Sequence, residues 1–268
     1  MRLVLHAGFH KTGTSSVQQA LVANRAALAG HARIFLKADF KPLADACRAA
    51  SVSDSLDDYA RVTQAAAGFG STLDPADPRP VLMASEDLSG IVPGRRGVLG
   101  YQAAPQIMRA LLDGFAQSLP AAEPTLFFST RAADAWVRSV WWQNLRSTRL
   151  SAGLDRFSID LAAGSDLDRA VRWIRAAVAP VPVVTARLEH SGQKPLGPLD
   201  PVLDLLDLPT DLRAGLALGP VANAAPAQGL PEVFLALNRS GLTDTAVSDA
   251  KRRLRRAARR QMNGEQDG

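Results

Sequence analysis

The chain has 268 residues, 47% of them hydrophobic and 21% charged, and contains one cysteine. This length suits one large α/β domain, and the composition excludes a disordered or fibrous chain. A single cysteine excludes an internal disulfide framework and a cysteine-rich metal centre. The N-terminal apolar run is too short for a signal-peptide core, and no apolar run reaches the ~18 residues of a membrane-spanning helix. We therefore expect a cytoplasmic protein without an integral membrane segment.

The net charge of +5 is concentrated at the C-terminus. Seven basic and two acidic residues lie between 251 and 268, so the remainder of the chain is neutral. A neutral body with a basic end does not indicate a nucleic-acid partner. We predict a basic helical segment over about 244–262 and interpret it as a solvated terminal helix.

Short apolar runs alternate with helical patterns along the chain. Strands are predicted at 3–5, 33–36, 80–85, 125–130 and 181–187. Helices are predicted near 17–28, 42–68, 102–119, 133–149 and 166–178, and a glycine-rich mobile loop over 87–100. Short continuous apolar strands that alternate with helices indicate a mainly parallel sheet covered on both faces. The sequence thus predicts a single α/β domain over residues 1–268.

The first strand ends in a glycine-containing turn that opens a helix. Backbone N–H groups and the positive end of the helix dipole converge at such a turn and favour an anion. Gly8 and Gly13 have the glycine spacing of the P-loop, but Thr14 stands where that motif has its lysine. The lysine is Lys11, inside the loop, and no strand that ends in a Walker-B aspartate is evident. Both features weaken an ATPase or GTPase interpretation.

A resemblance to a known family lies in the run Lys11-Thr12-Gly13-Thr14-Ser15-Ser16. This run is similar to the 5′-phosphosulfate loop of sulfotransferases, bacterial ones included, that use 3′-phosphoadenosine 5′-phosphosulfate (PAPS). The resemblance implies a three-layer, P-loop-like α/β fold, PAPS as donor, 3′,5′-bisphosphate (PAP) as product and no metal. Lys11 would neutralise the leaving phosphate, and the hydroxyls and N–H groups of the run would bind it. The alternative is a helix cap rich in hydroxyl residues.

A second segment resembles the 3′-phosphate site of the same family. Arg131 ends a predicted strand, and Ser139 follows eight residues later on the next helix. An arginine fork and a hydroxyl together bind a phosphate that ATP lacks. The family often has a proline soon after the arginine, where this chain has Ala132 and Ala133. We interpret the other large residues of this helix as surface arginines or packing tryptophans: Arg138, Arg146, Trp136, Trp141 and Trp142.

The acceptor must lose a proton as it attacks sulfur, so a general base is needed at the same edge of the sheet. Glu86 follows a predicted strand and is our first candidate, because carbohydrate sulfotransferases often use a glutamate. The other candidates, in decreasing order, are His10, His6 and Asp87. A helix cap, or an ion pair with Arg95 or Arg96, is the alternative role for Glu86.

Several features of the chain stay outside this scheme. No cluster has metal-ligand spacing, and we interpret Cys47 as a small buried hydrophobe and His31 and His190 as surface or packing residues. The third nucleotide-binding segment of the family has no clear copy, although Arg187 or the basic run 251–260 could supply charge. We expect the acceptor pocket, for a saccharide or for a small metabolite or lipid, to be built from residues 37–80, 87–104 and 150–165.

The sequence therefore predicts a sulfotransferase that transfers a sulfuryl group to a hydroxyl or amine. The alternatives are a P-loop nucleotide kinase or NTPase, and a family member that binds the nucleotide without catalysis.

Overall fold

Five short strands form one parallel sheet in the computed structural model, which describes residues 1–217 and 229–264. The strands are β1 (Arg2–His6), β2 (Arg33–Leu36), β3 (Val81–Ala84), β4 (Glu123–Thr130) and β5 (Val183–Arg187). Their order in the sheet is β2-β3-β1-β4-β5, and every neighbouring pair is parallel. The predicted α/β class and parallel sheet are confirmed.

Helices connect the strands and follow the last one. They are α1 (Thr14–Ala23), α2 (Arg25–Leu28), α3 (Lys41–Ser53), α4 (Leu56–Gly70), α5 (Ala104–Ser118), α6 (Ala133–Ser147), α7 (Leu154–Leu161), α8 (Leu167–Val178), α9 (Leu188–Ser191), α10 (Asp200–Leu203), α11 (Thr210–Ala214), α12 (Leu230–Arg239) and α13 (Asp244–Gly264). The sequence did not predict α7, and the single helix predicted near 17–28 is divided at Asn24. No helix in the described part of the chain is long and apolar enough to cross a bilayer.

The helices cover both faces of the sheet, because side chains alternate between the faces of a strand. Leu3 and Leu5 of β1 point into one core, which they share with apolar residues of α3, α4, α5, α6 and α8. Val4 points into the other core and packs with Val17 and Leu21 of α1. The three β1 side chains are fully buried, and each contributes about 1.5–3 kcal/mol to stability.

The order of the strands reverses beside β1. The chain passes from β1 to β2 and β3 on one side, then crosses to β4 and β5 on the other. The helices that follow β1 and β4, α1 and α6, pack on opposite faces of the sheet, and ligands of open parallel sheets bind at the crevice that such a reversal creates. The loop after β1 and the junction after β4 meet there, since Nη1 of Arg131 donates a hydrogen bond of 3.2 Å to the carbonyl oxygen of Lys11.

The segment predicted to be a mobile loop over 87–100 is packed onto the body of the protein. It begins inside a short 3₁₀ helix, Glu86–Ser89, whose last residue donates through its hydroxyl to the carbonyl oxygen of Ala7 at 2.7 Å. The Ile91 N–H donates to the Ser51 hydroxyl at 2.9 Å, and the Ile91 side chain is buried. These contacts hold the segment that leads to Arg95 and Arg96.

The predicted basic segment at the C-terminus forms α13, whose arginines Arg252, Arg253 and Arg256 are exposed, and its one lysine is the exception to the interpretation of a solvated helix. Lys251 is buried, and its Nζ donates to the carbonyl oxygens of Leu145 and Thr148, both at 2.8 Å. These carbonyls lie at the end of α6, where the helix dipole favours a cation. Lys251 thus anchors α13 to α6 and does not contribute charge to the crevice.

Candidate functional site

The turn between β1 and α1 has an uncommon backbone conformation. Lys11 and Gly13 both have positive φ, 69° and 99°. A side chain on Gly13 would bring its Cβ to 2.9 Å from Cδ1 of Leu188, so this position requires glycine both for its backbone and for the space around it. A left-handed conformation costs a residue such as Lys11 about 1–2 kcal/mol, and contacts beneath the loop hold it there.

Thr12 and Trp136 provide those contacts. The Thr12 hydroxyl donates to the carbonyl oxygen of Phe9 at 2.6 Å and lies 2.9 Å from the Ser129 hydroxyl on β4. Trp136, fully buried on α6 as predicted, donates from Nε1 to the carbonyl oxygen of His10 at 2.9 Å. The expectation that the Thr12 hydroxyl binds phosphate is corrected, because that group is buried beneath the loop and positions it.

Thr14 differs from Thr12, because its hydroxyl finds no hydrogen-bond partner in the described part of the chain. Helix α1 begins at Thr14 without any side-chain cap, so the alternative of a hydroxyl-rich helix cap is wrong. The Thr14 side chain is 2% exposed, and its Oγ1 has no hydrogen-bond partner among the described residues. A buried hydroxyl without a partner costs about 1–3 kcal/mol, and such a group next to uncapped helical N–H groups suits an anionic ligand.

A cavity of about 660 Å³, here called the loop cavity, opens above this turn. Its lining includes the predicted residues His10, Lys11, Gly13, Thr14, Ser15, Ser16, Glu86, Arg131 and Ser139. The structure therefore brings together two segments that lie more than 100 positions apart in the chain. Among the predicted nucleotide-binding residues, only Thr12 does not line this cavity.

Four residues of α6 that the sequence suggested were surface or packing residues also line the loop cavity. They are Arg138, Trp141, Trp142 and Arg146. The cavity wall consequently holds four basic side chains and one acidic one, Glu86. Successive turns of one helix carry these residues to one side, a signal that the spacing of Arg138, Trp142 and Arg146 contained.

The pKa of Lys11 is lowered in this cavity. Burial, with the neighbouring Arg146 and Arg131, lowers the pKa of Lys11 to about 8, and Glu86 opposes the shift. Positive charges held close together in a half-buried cavity stabilise a bound polyanion.

Glu86 is the base candidate whose carboxylate faces the cavities. It is half-buried, and its Oε2 accepts a hydrogen bond of 2.9 Å from Nε2 of Gln18. No ion pair joins Glu86 to Arg95 or Arg96 in the part of the chain that the structure describes. The alternative role as a salt-bridge partner of these arginines is therefore wrong.

The other base candidates are engaged or enclosed. Nε2 of His10 lies 3.3 Å from Oδ1 of Asp87, and its Nδ1 lies 3.1 Å from the Tyr101 hydroxyl, so both ring nitrogens have partners. Burial alone would raise the pKa of Asp87, but hydrogen bonds from His10 and Lys37 lower it to about 2. His6 is fully buried, and burial lowers its pKa to about 4. Glu86 is the best placed of the four.

A second cavity of about 710 Å³ lies beside the first and shares His10, Glu86 and Gln143 with it. We call it the arginine cavity, because its wall carries the five basic residues Lys37, Arg48, Arg95, Arg96 and Arg149. Four of the five fall within or next to the ranges predicted for the acceptor pocket, 37–80 and 87–104. The range 150–165 contributes Leu150 to the arginine cavity and Leu154 to the loop cavity.

The remaining candidates lie elsewhere. Arg187 forms an ion pair of 3.1 Å with Asp168 and lines neither cavity, so it does not replace the missing third segment. His31 and His190 are exposed, and Cys47 is fully buried in the core, as predicted. Within the described ranges, no group of three or more His, Cys, Asp or Glu side chains is arranged to hold a metal ion.

Comparisons of the chain with family models, with curated proteins and with solved structures gave no match.

Proposed function

We propose that this chain is a PAPS-dependent sulfotransferase with a P-loop-like fold. The observation that carries the proposal is that Lys11, Arg131 and Ser139, taken from two separate sequence motifs, line one cavity at the crevice between β1 and β4. The buried, unpartnered hydroxyl of Thr14 lies in the same wall. A cation, a hydroxyl and uncapped helical N–H groups at one crevice match the needs of a phosphosulfate.

The loop cavity suits the other parts of PAPS as well. Arg131 and Ser139 would bind the 3′-phosphate, with Arg138 close by on the same helix. Indole faces and leucine side chains offer an apolar surface for a flat base, and the residues concerned are Trp141, Trp142, Leu154 and Leu188. The cavity therefore offers both an anionic and an apolar subsite.

Each residue has a definite task in the transfer. Glu86 accepts the proton of the acceptor hydroxyl or amine as the new bond to sulfur forms. The bond between sulfur and the bridging oxygen breaks, and its electron pair stays on the phosphate of the departing bisphosphate. The Lys11 ammonium neutralises that charge, and the N–H groups at the start of α1 hold the phosphate in place.

Titration calorimetry with adenosine 3′,5′-bisphosphate tests the donor site. We expect tight binding without a metal, weakened about 10- to 100-fold by Lys11→Ala and by Arg131→Ala, because each removes hydrogen bonds to a charged group. Arg187→Ala is the matched control, since this arginine lies outside both cavities. A melting scan at 100 times the dissociation constant should show about 2.7 kcal/mol of stabilisation.

The same titration distinguishes the kinase or NTPase alternative, which the glycine spacing of the loop supports. ATP with and without Mg²⁺ is titrated beside the bisphosphate. Magnesium-dependent binding of ATP with no preference for the 3′-phosphate would overturn the sulfotransferase proposal. Asp87, next to β3, would then be the residue to reconsider as a magnesium ligand, although its carboxylate already contacts His10, Lys37 and Arg48.

A further inference from the structure

The arginine cavity carries positive charge that its own acidic residues do not balance. Its wall has five basic side chains against two acidic ones, Glu86 and Asp87. The Asp87 carboxylate is already in contact with Lys37 and lies 3.8 Å from Arg48, while Glu86 accepts from Gln18. The two acidic groups therefore leave Arg95 and Arg96 without a carboxylate partner among the described residues.

Arg95 is a half-buried cation whose hydrogen bonds, within residues 1–217 and 229–264, go to neutral groups. Its Nε donates to Oδ1 of Asn144 at 2.7 Å and its Nη2 donates to the Ser147 hydroxyl at 2.6 Å. Burial and the nearby Arg48 lower its pKa, and Asp87 opposes the shift. Neutral hydrogen-bond partners orient a guanidinium without neutralising it, so the charge of Arg95 attracts an anion bound here.

Asn144 and a strained turn fix the two arginines at the cavity wall. Asn144 is fully buried, and its Nδ2 donates to the carbonyl oxygen of Pro93 at 2.8 Å, just before the turn. The turn is closed by a bond of 2.7 Å from the Gly94 N–H to the carbonyl oxygen of Val98. Arg96 has a φ of 49° there, a left-handed conformation that favours glycine.

The position of Gly94 shows how closely this turn fits its surroundings. A side chain on Gly94 would bring its Cβ to 2.7 Å from the Phe157 ring and 2.9 Å from Nδ2 of Asn144. Backbone strain such as the positive φ of Arg96 is retained where the surrounding structure determines it, and such strain is concentrated at ligand sites. The turn thus presents Arg96 and the Arg95 guanidinium beside the cavity that contains Glu86.

We propose that the arginine cavity binds an acceptor that itself carries an oxyanion, such as a carboxylate, a sulfate or a phosphate. Arg95 and Arg96 bind that group, and the hydroxyl or amine of the same molecule reaches Glu86, which the two cavities share. This inference rests on the proposed function and narrows its substrate to acidic acceptors.

Inorganic pyrophosphate is the first probe, titrated into protein already saturated with adenosine 3′,5′-bisphosphate so that the loop cavity is filled. We expect saturable binding that Arg95→Gln and Arg96→Gln each weaken about tenfold or more, because each removes a charged hydrogen-bond donor. Arg96→Gln should fold as the wild type does, since Arg96 is exposed, so a loss of binding in this variant is not an effect of misfolding. Arg61→Gln, on α4 and outside both cavities, is the control and should bind as the wild type does.

A matched pair of acceptors then tests the role of the charge in transfer. The rate of bisphosphate release from PAPS is measured with each acceptor. It should be about tenfold higher with p-nitrophenyl β-glucuronide than with p-nitrophenyl β-glucoside, and Arg96→Gln should remove the difference. Absence of saturable pyrophosphate binding, or equal binding by the variants, overturns the anion site. Equal rates with the two glycosides, including no transfer to either, would overturn the proposal that the acceptor is acidic. Failure of the initial bisphosphate titration would instead count against the proposed function.

Discussion

The two cavities share Glu86 and His10 but are built in different ways. The loop cavity is lined mainly by two continuous stretches, 10–16 and 131–146, each at a junction between a strand and a helix. The arginine cavity takes its lining from separate places: Lys37, Arg48, the stretch 85–96 and the stretch 143–150.

This difference has a chemical consequence. In the loop cavity the backbone itself supplies donors, at the uncapped start of α1, and its geometry is fixed by Thr12 and Trp136. In the arginine cavity the charges belong to long side chains, which are held by neutral hydrogen bonds at Arg95 and by carboxylates at Lys37 and Arg149. Under the proposed function, the donor would therefore be bound largely by backbone groups of the fold, whereas the acceptor would be bound by side chains that single substitutions can change.

The largest effect is expected at Glu86, where the cavities meet. Glu86→Gln keeps the size of the side chain and an oxygen for Gln18, but it removes the base, so turnover should fall about 10²- to 10⁴-fold. Bisphosphate affinity should be unchanged. The measurement is bisphosphate release from PAPS with the glucuronide acceptor, beside calorimetry. Glu123→Gln, at the opposite end of β4, is the matched control.

Full activity of Glu86→Gln would show that another group takes the proton. A wild-type protein that binds the bisphosphate and never transfers a sulfuryl group would instead support the non-catalytic alternative.

A smaller effect is expected from pH, and only in the loop cavity. The pKa of Lys11 is lowered to about 8, so the ammonium loses its proton as the pH rises through that value. Since the ammonium attracts the phosphate, bisphosphate affinity should fall above pH 8, by at most about tenfold per pH unit. The bound anion raises the pKa again, so binding takes up a proton, and calorimetry in buffers of different ionisation enthalpy measures that uptake.

Lys11→Arg is the control for this pH dependence, because a guanidinium stays charged throughout the range. An affinity that is equally flat from pH 7 to 9.5 in both proteins would place Lys11 away from the bound phosphate. The groups proposed to bind an anion in the other cavity are Arg95 and Arg96, which stay charged over this range, so no such loss of affinity is expected there.

The smallest effects separate two threonines of one loop. Thr14→Val removes a hydroxyl that has no hydrogen-bond partner among the described residues, so stability should stay unchanged or rise, while bisphosphate affinity should fall about five- to tenfold. Thr12→Val removes a bonded hydroxyl and should lower the free energy of unfolding by about 1–3 kcal/mol. Denaturant unfolding measures the stability of both variants, and calorimetry measures their bisphosphate affinity. Each variant serves as the control for the other. Equal destabilisation by the two substitutions would contradict the assignment.

The residues that line the loop cavity could be predicted to the extent that they are local in sequence. Lys11 to Ser16 and the pair Arg131 and Ser139 each follow a strand, and the end of a parallel strand fixes the edge at which a side chain lies. Helix periodicity could have assigned Arg146 to the same face as Ser139, seven residues earlier, but surface and cavity arginines have the same local pattern. The helix α7 was missed because its residues, 154–161, give a short and weak apolar period.

The sequence by itself determined the alternation of strands and helices, the parallel sheet and the loop that begins α1, because apolar periodicity and glycine spacing act over a few residues. The tertiary structure decided which of two neighbouring threonines faces the cavity, where Lys251 is buried, and how Arg95 and Arg96 come to share a cavity with Glu86. These features depend on contacts between residues as distant as Arg95 and Ser147, or Lys251 and Leu145. Packing of the helices on the sheet creates such contacts, and no local pattern encodes them.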